Sequence, residues 1–316
     1  MVTLIAQRGR NVKMPHSVAL QHTETLLITH QNFSSAVQPL ADYRAAQGLR
    51  VKLIDVQDVY DEFGYGLVDP DAIRDFLAYA YTTWQPPAPA YVLLVGDGTF
   101  DPKNYQGNSP PTYIPSYLAD VDLWIGETAA DNRFVSVSGS DVLPDMHLGR
   151  LAVNSPAEAT AIVNKILSYE QNPPTDDWNR KVMFVADNAD AAGDFAYLSD
   201  QVADLHLPVP YTAEKIYYLR THLSDVSARK AITEGINQGR LMVSYIGHSA
   251  IYQWAGEKLF SVDYISKLNN ADRLPFMVPM TCLEGYYIWP NTPAQPFDYS
   301  ALGEVILRAP GKGAIA

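Results

Sequence analysis

The chain has 316 residues, of which 47% are apolar and 11% aromatic, and its 23 basic against 35 acidic residues give a formal net charge of −12. This apolar content supports a large core, which excludes a disordered or low-complexity protein. Nucleic acids and anionic membrane surfaces bind clustered Lys and Arg, so the acidic balance argues against both as partners and favours a basic substrate.

The first half of the chain alternates short apolar runs with amphipathic stretches, which is typical of β-α-β units. Strands are predicted at 25–30, 50–56 and 91–97, and helices at 35–48, 69–84 and 155–170. The pairs Asp69-Pro70 and Ser155-Pro156 mark two helix starts, because a capping side chain before proline favours initiation. Residues 98–147 show no sustained period and are predicted to form loops and short hairpins, which often line a site.

A second series follows the linker predicted at 171–179. Strands are predicted at 181–187, 215–219, 241–248 and 275–282, and helices at 192–205, 224–239, 261–270 and 301–309. This alternation predicts a mainly parallel sheet covered by helices on both faces, with sites at the carboxyl ends of its strands. We therefore expect an N-terminal extension at 1–22, an α/β subdomain at 23–172 and a second α/β subdomain at 173–316, which carries the candidate catalytic histidine and cysteine described next.

Two strands of the second series end in reactive side chains, His248 in VSYIGH and Cys282 in FMVPMTC. Cys282 is the only cysteine, which excludes a disulfide framework or a cysteine-cluster metal site and leaves a buried structural residue or a nucleophile. If the two strands are parallel neighbours, the imidazole can raise the thiolate fraction and later protonate the leaving amine. The backbone N–H groups of Ser249 and Cys282 are then candidates for holding the oxyanion.

The segment YIGHSAIYQWAGEKLFSVDYISKLNNADRLPFMVPMTCLEG resembles the core of the gingipain-type cysteine peptidases. Their pattern is a strand, Gly-His-Gly, a tryptophan, a helix and Leu-Pro-Phe before a strand that ends in cysteine. The similarity extends to YVLLVGD, HLGRLAV and KVMFVAD, and so covers most of the chain. It implies a caspase-like α/β fold, a three-layer sandwich of two side-by-side subdomains, with His248 and Cys282 as a peptidase dyad.

The resemblance also implies roles for other residues. An acid after the strand KVMFVAD orients the histidine, and Asp190 is the nearest match, with Asp187 next. Asp200 matches the acid of the P1 pocket in arginine-specific members, where bidentate pairing favours Arg, although a solvated helix acid is the alternative. Trp254 matches the family's tryptophan and is predicted to bind substrate. Ser249 stands where the family has glycine, which puts the backbone freedom of that turn in question.

These residues predict a cysteine endopeptidase that hydrolyses proteins or peptides, with a basic P1 residue as the candidate specificity. Two alternatives stay open: a sortase-like transpeptidase that uses the same dyad, and a catalytically inactive caspase-like adhesion or assembly module. The chemistry requires no cofactor or metal. Calcium is an alternative because family members bind it in their catalytic region, and the candidate loop ligands, for which turn roles are the simpler interpretation, are Asp97, Asp101, Asp120, Asp122 and Asp131.

The termini and the hydropathy of the chain bear on its location. No run approaches the ~18 consecutive apolar residues of a membrane span. Residues 1–16 lack the apolar stretch and cleavage site of a signal peptide. Either the protein is cytoplasmic or the chain begins inside a longer secreted protein, and GKGAIA at 311–316, which is typical of the first half of a buried strand, favours the second. We therefore expect one part of a longer exported protein, extracellular or at the cell surface.

Overall fold

The computed structural model describes residues 23–107, 109–123, 125–290 and 300–316, so the extension predicted at 1–22 lies outside the described residues. The strands of the first half are β1 (Thr25–Thr29), β2 (Val51–Asp55), β3 (Tyr91–Val95), β4 (Leu118–Asp122), β5 (Gly126–Ala129) and β6 (His147–Leu151). Its helices are α1 (Ser34–Ala46), α2 (Val56–Phe63), α3 (Pro70–Thr83) and α4 (Pro156–Gln171).

The second half contributes a similar series. Its strands are β7 (Lys181–Ala186), β8 (Thr212–Tyr217), β9 (Met242–Ile246), β10 (Ser249–Ala250), β11 (Gln253–Trp254), β12 (Phe260–Ser261) and β13 (Phe276–Met280). Its helices are α5 (Phe195–Leu205), α6 (Asp225–Gln238), α7 (Val262–Ile265) and α8 (Leu302–Arg308).

The first half is built on a parallel sheet with strand order β2-β1-β3-β6. Strand β1 is buried along its whole length, and its successive side chains point to opposite faces. Leu26 and Ile28 pack with α2 and α3, whereas Leu27 packs with α1 and α4. An apolar strand of this kind needs helices on both sides of the sheet, and the structure supplies them.

The second half repeats this arrangement on a parallel sheet with strand order β13-β9-β7-β8. On β7, Met183 and Val185 pack with α6, α7 and α8, while Val182 and Phe184 pack with α5. The prediction of mainly parallel strands covered by helices on both faces is therefore confirmed. The strands form two sheets, one in each half.

The structure departs from the predicted elements in a few places. Helix α2 follows β2 directly because Asp55, predicted as the penultimate residue of a strand, caps it by accepting from the N–H of Gln57. Strand β6 was not predicted and starts at the last residue of the segment predicted to be irregular. Within that segment, the hairpin of β4 and β5 confirms the hairpins expected there. The helix predicted at 261–270 is shorter in the structure and forms only α7 (Val262–Ile265). After it, the side chain of Asn237 accepts from the N–H of Asn269, and the side chain of Asn270 donates to the carbonyl of Gly313. Bonds of this kind between side chains and backbone compete with helix formation.

Helix α8 joins the two halves. Arg308, its last residue, donates at 2.9 Å to Asp97, which lies two residues after the end of β3. From α4, the buried Nζ of Lys165 donates to carbonyl oxygens in and after α8, those of Ile306, Lys312 and Ala314. Beyond α8, the N–H of Ile315 donates to the carbonyl of Pro275 at the start of β13. Over the described ranges, no helix is both long and apolar enough to cross a bilayer.

Candidate active site

His248 and Cys282 follow two neighbouring strands. Strands β9 and β13 are parallel, and the last pair of their register is Ile246 with Met280. His248 and Cys282 each lie two residues beyond that pair, so the register places them opposite each other. Both side chains are exposed, that of His248 by 52%. The parallel pairing that the sequence could only suppose is thus present, and it brings the two predicted residues to one edge of the sheet.

Hydrogen bonds on either side of this pair hold the two turns together. We call residues 247–249 the histidine turn and residues 281–284 the cysteine turn. The hydroxyl of Thr281 donates to the carbonyl of Gly247 at 2.7 Å. The N–H of Leu283 donates to Oγ of Ser249 at 3.2 Å. The two bonds continue the strand register past the sheet edge and limit the separation of the turns.

Gly247 lets the histidine turn approach the end of β7 closely. A Cβ at this position would lie 2.4 Å from Cβ of Asp187 and 2.6 Å from the hydroxyl of Tyr245, distances that side-chain carbons essentially never show. The close approach allows the N–H of His248 to reach Oδ2 of Asp187 at 3.3 Å. Any other residue at 247 would move the histidine.

Asp190 contacts the imidazole directly, with its Oδ2 2.9 Å from Nε2 of His248. The backbone N–H of Ala192, which donates to Oδ1, and the His248 ring lower the pKa of Asp190. Because a carboxylate only accepts hydrogen bonds, Nε2 is the donor in this contact, and in the tautomer that fits it Nδ1 is the acceptor. The ring of Phe195 packs edge-on against the imidazole at 5.3 Å between centroids, which further restricts its rotation.

The two candidate acids have different contacts. Asp187 is buried and accepts from the backbone N–H groups of Asn188 and His248. Burial raises the pKa of Asp187. Asp190 is the one that touches the ring. The structure therefore places the first-ranked candidate beside the imidazole and the second beneath its backbone.

Ser249 needs none of the freedom of the glycine it replaces. It lies in strand β10, paired with Trp254, in an extended conformation that any residue can adopt. Its hydroxyl accepts from the cysteine turn, a contact that glycine lacks. The oxyanion role of the N–H groups of Ser249 and Cys282 stays a prediction.

Trp254 is not a surface residue, and its prediction as a substrate contact is wrong. The side chain has no exposed area. It stacks on Tyr245 with centroids 4.5 Å apart and planes 5° apart, and its Nε1 donates to the buried Glu284. The resemblance pointed to the position of this tryptophan in the sequence but could not show that its ring packs in the core.

Asp200 lies on α5, where it is already paired. Its Oδ1 is 2.8 Å from Nζ of Lys215, and its Oδ2 is 3.5 Å from Arg220. The hydrogen bond from Lys215, supported by one from the hydroxyl of Tyr217, lowers the pKa of Asp200. An arriving substrate guanidinium would have to compete with these protein cations.

Most of the proposed calcium carboxylates are occupied by protein donors. The donors are Arg308 and Asn154 for Asp97, the 105 and 106 N–H groups and Ser109 for Asp101, and Arg150 for Asp131. Asp120 is exposed on β4, and the side chain of Asp122 lies outside what is described. Within the described ranges, no three His, Cys, Asp or Glu residues are grouped to hold a metal ion.

The loop that follows the cysteine turn docks on the first half of the molecule. The hydroxyl of Tyr287 lies 2.7 Å from Oγ of Ser116 and donates to Asp131 at 2.8 Å. The N–H of Phe100 donates to the carbonyl of Ile288 at 2.9 Å. From the sequence, the aromatic run YYIWP (286–290), which includes Tyr287, had two possible uses, lining a substrate cleft or closing over the core. Glu284 was assigned no role, and a lone acid beside that run was the only signal for it.

Comparisons with known proteins bear on the family and the fold of the chain. The sequence profile of peptidase family C25 matches residues 18–316. Gingipain R1 of Porphyromonas gingivalis is 22% identical over 299 residues, which cover 93% of this chain and 26% of that protein. Lys-gingipain W83 of the same organism is 27% identical over 231 residues, which cover 68% of this chain and 12% of that protein. The chain spans about a quarter of the first relative and less of the second.

A solved structure shows the same architecture. The crystal structure of the Arg-specific cysteine proteinase gingipain R matches this chain with a TM-score of 0.73 at 21% identity. The match covers 93% of this chain and 61% of that one. At this identity the likeness establishes the fold alone, and it confirms the caspase-like α/β sandwich predicted from the sequence.

Proposed function

The chain belongs to peptidase family C25, and from that premise we propose that it is a cysteine peptidase whose dyad is Cys282 and His248. One observation carries the proposal: the register of β9 and β13 continues to these two exposed residues, and the hydrogen bonds of Thr281 and Leu283 tie their turns together. A merely structural cysteine would be expected inside the core, and Cys282 is exposed.

In the proposed reaction, Nδ1 of His248 takes the thiol proton and the Cys282 sulfur attacks the peptide carbonyl carbon. The N–H groups of Ser249 and Cys282 hold the oxyanion that forms. His248 then protonates the leaving amine, and a water molecule, deprotonated by the same imidazole, hydrolyses the acyl-enzyme. Asp190 keeps the proton on Nε2 throughout, so that Nδ1 stays available.

For the substrate we propose a protein or peptide chain with a basic P1 residue. The net charge of −12 favours basic substrates. Two proteins similar to this chain are named for Arg or Lys, the Arg-specific proteinase gingipain R and Lys-gingipain W83, and those names support the same preference here. Asp200 stays the candidate partner of the P1 side chain, in competition with Lys215. We further propose that the protein acts outside the cell or at its surface, that its chemistry requires no cofactor, and that any metal ion it binds is calcium.

The test compares the wild type with Cys282→Ala and His248→Ala on peptides that carry Arg, Lys or a neutral residue at P1. Each substitution should lower kcat/KM by at least about 10³-fold, because dyad residues act as a unit. Circular dichroism checks that the variants are folded. Equal cleavage by Cys282→Ala would refute the dyad.

The same assay separates the alternatives. Products joined to an added amine would identify a transpeptidase. A wild-type Cys282 that cleaves nothing and does not react with iodoacetamide would identify an inactive module.

A further inference from the structure

Glu284 is a buried acid two residues after Cys282. Only 3% of its surface is exposed, so it cannot meet substrate, and the proposed chemistry does not use it. Its Oε2 accepts from Nε1 of Trp254 at 2.5 Å, and its backbone carbonyl accepts from the N–H of Gly303 in α8. Burying a carboxyl group costs free energy, and an apolar side chain would fill the same space without that cost. The position of Glu284 therefore calls for an explanation beyond packing.

Trp254 connects Glu284 to the histidine turn. Its indole ring stacks on Tyr245, and the hydroxyl of Tyr245 donates to the carbonyl of His248 at 2.6 Å. The N–H of Ala255, the residue after Trp254, donates to the same carbonyl at 2.8 Å. A continuous series of contacts thus runs beneath the surface from the cysteine turn to the backbone of His248.

The buried path and the bonds of Thr281 and Leu283 act on different residues of the two turns. Thr281 bonds Gly247 and Leu283 bonds Ser249, which joins the turns at the residues that flank Cys282. At the end of the cysteine turn, the backbone of Glu284 is bonded to α8 through Gly303, and only its side chain leads back toward the histidine turn. The bond between Glu284 and Trp254 fixes that end, because a hydrogen bond sets distance and direction where an apolar contact does not.

Resting on the dyad proposed above, we propose that Glu284 and Trp254 are positioning residues that hold the cysteine turn in register with the histidine turn. Acyl transfer is sensitive to such positioning, since a displacement of about 1 Å can lower a rate by about 10²-fold. Neither side chain touches the reacting atoms. Their effect passes through the backbone of the two turns.

Three variants separate the hydrogen bond from packing. Trp254→Phe removes the N–H donor and keeps an aromatic ring against Tyr245. Glu284→Leu removes the acceptor, and Glu284→Gln keeps an acceptor oxygen in a side chain of nearly the same shape. Trp178→Phe is the matched control, because Nε1 of Trp178 is buried without a hydrogen-bond partner among the described residues.

The measurement is kcat and KM per folded molecule, with the folded fraction of each variant taken from circular dichroism. Trp254→Phe and Glu284→Leu should each lower kcat about 10-fold or more, with KM within about 2-fold, whereas Glu284→Gln should keep kcat within about 3-fold. Trp178→Phe should match the wild type. If Trp254→Phe does not fold, the ratio of Glu284→Gln to Glu284→Leu carries the test. The proposal is overturned if both Glu284 variants keep the wild-type kcat, or if Gln fails to rescue.

The rate of Cys282 alkylation by iodoacetamide distinguishes this proposal from the proposed function. His248→Ala should slow alkylation, and Trp254→Phe should slow it in the same direction. If the wild type hydrolyses no peptide but alkylation still depends on Trp254 and Glu284, the peptidase assignment fails and the positioning role stands. If the wild type is active and these variants alkylate and hydrolyse as it does, the positioning role fails alone.

Discussion

The two halves of the molecule share one architecture and use the carboxyl ends of their strands in opposite ways. In the first half, Asp97 directly after β3 is 3% exposed and pairs with Arg308, which comes from the second half. In the second half, His248 and Cys282 end β9 and β13 in solvent. Strand-end polar groups thus hold the halves together where a charged partner from the other half reaches them, and they stay exposed where none does.

Burial explains the difference. Arg308 is surrounded by three acids, Asp97, Glu304 and Glu158. Burial raises the pKa of Glu304 well above its usual range and that of Asp97 as well, although Arg308 opposes both shifts. A buried charge of this kind is tolerated only when it is paired. Asp190, by contrast, contacts His248 at the surface, where solvent competes.

The largest expected effect concerns the buried ion pairs of Arg308 that join the two halves. Arg308→Met leaves buried acids without their cation and should lower the free energy of unfolding by about 3–5 kcal/mol, measured by urea denaturation. Arg180→Met is the control, because its pair with Asp177 is exposed on both sides, and it should cost about 1 kcal/mol or less. Equal losses for the two variants would show that the buried network does not hold the halves together.

The next effect concerns stability and pH. Burial raises the pKa of Glu284 from 4.5 to about 7. The folded protein keeps a proton that the unfolded chain has released, so the contribution of Glu284 to stability is complete below pH 4.5 and is lost as pH rises through about 7. Relative to Glu284→Gln, the wild type should lose on the order of 3 kcal/mol across this window.

Urea denaturation at several pH values measures this slope. The exposed Glu234→Gln, on α6 beside Lys230, is the matched control and should leave the slope of the wild type unchanged. Parallel pH profiles for the wild type and Glu284→Gln would contradict the buried, protonated state of Glu284.

A smaller effect tests the proposed role of Asp190 in orienting His248. Asp190→Asn can place its amide toward Nε2 and favour the wrong tautomer of His248, so kcat/KM should fall by about 10²-fold while urea stability stays unchanged. Asp194→Asn, at the cap of α5, is a nearby control that does not contact the imidazole. A loss of stability with unchanged kcat/KM would show instead that Asp190 stabilises the fold and does not orient the imidazole.

The smallest expected effect concerns specificity. Asp200→Asn should lower kcat/KM for Arg peptides by no more than about 5-fold, because the carboxylate already shares its charge with protein cations near the surface. A loss of 10²-fold confined to basic P1 peptides, about 2.7 kcal/mol, would instead show that the P1 side chain displaces Lys215 and Arg220 and pairs fully with Asp200. Peptides with a neutral P1 residue provide the reference.

The helices and strands that line the core were largely predictable because they depend on local patterns. Asp69-Pro70 and Ser155-Pro156 begin α3 and α4 as predicted, since caps act on the nearest N–H groups. Helix α2 and strand β6 were missed: the first continues from a strand without a break, and the second, HLGRL, carries a charge and a glycine in a Gly- and Pro-rich segment.

The sequence by itself determined the α/β class, the family resemblance and the positions of His248 and Cys282 at two strand ends, because a buried strand and its end are written in consecutive residues. That the two strands are parallel neighbours was decided by the tertiary structure. Only the tertiary structure decided that Asp190 reaches the ring, that Trp254 is buried, and that Arg308 pairs with Asp97. These contacts join residues far apart in the chain. Which partner a side chain meets there depends on how the sheets and helices pack, and no local pattern of residues encodes that.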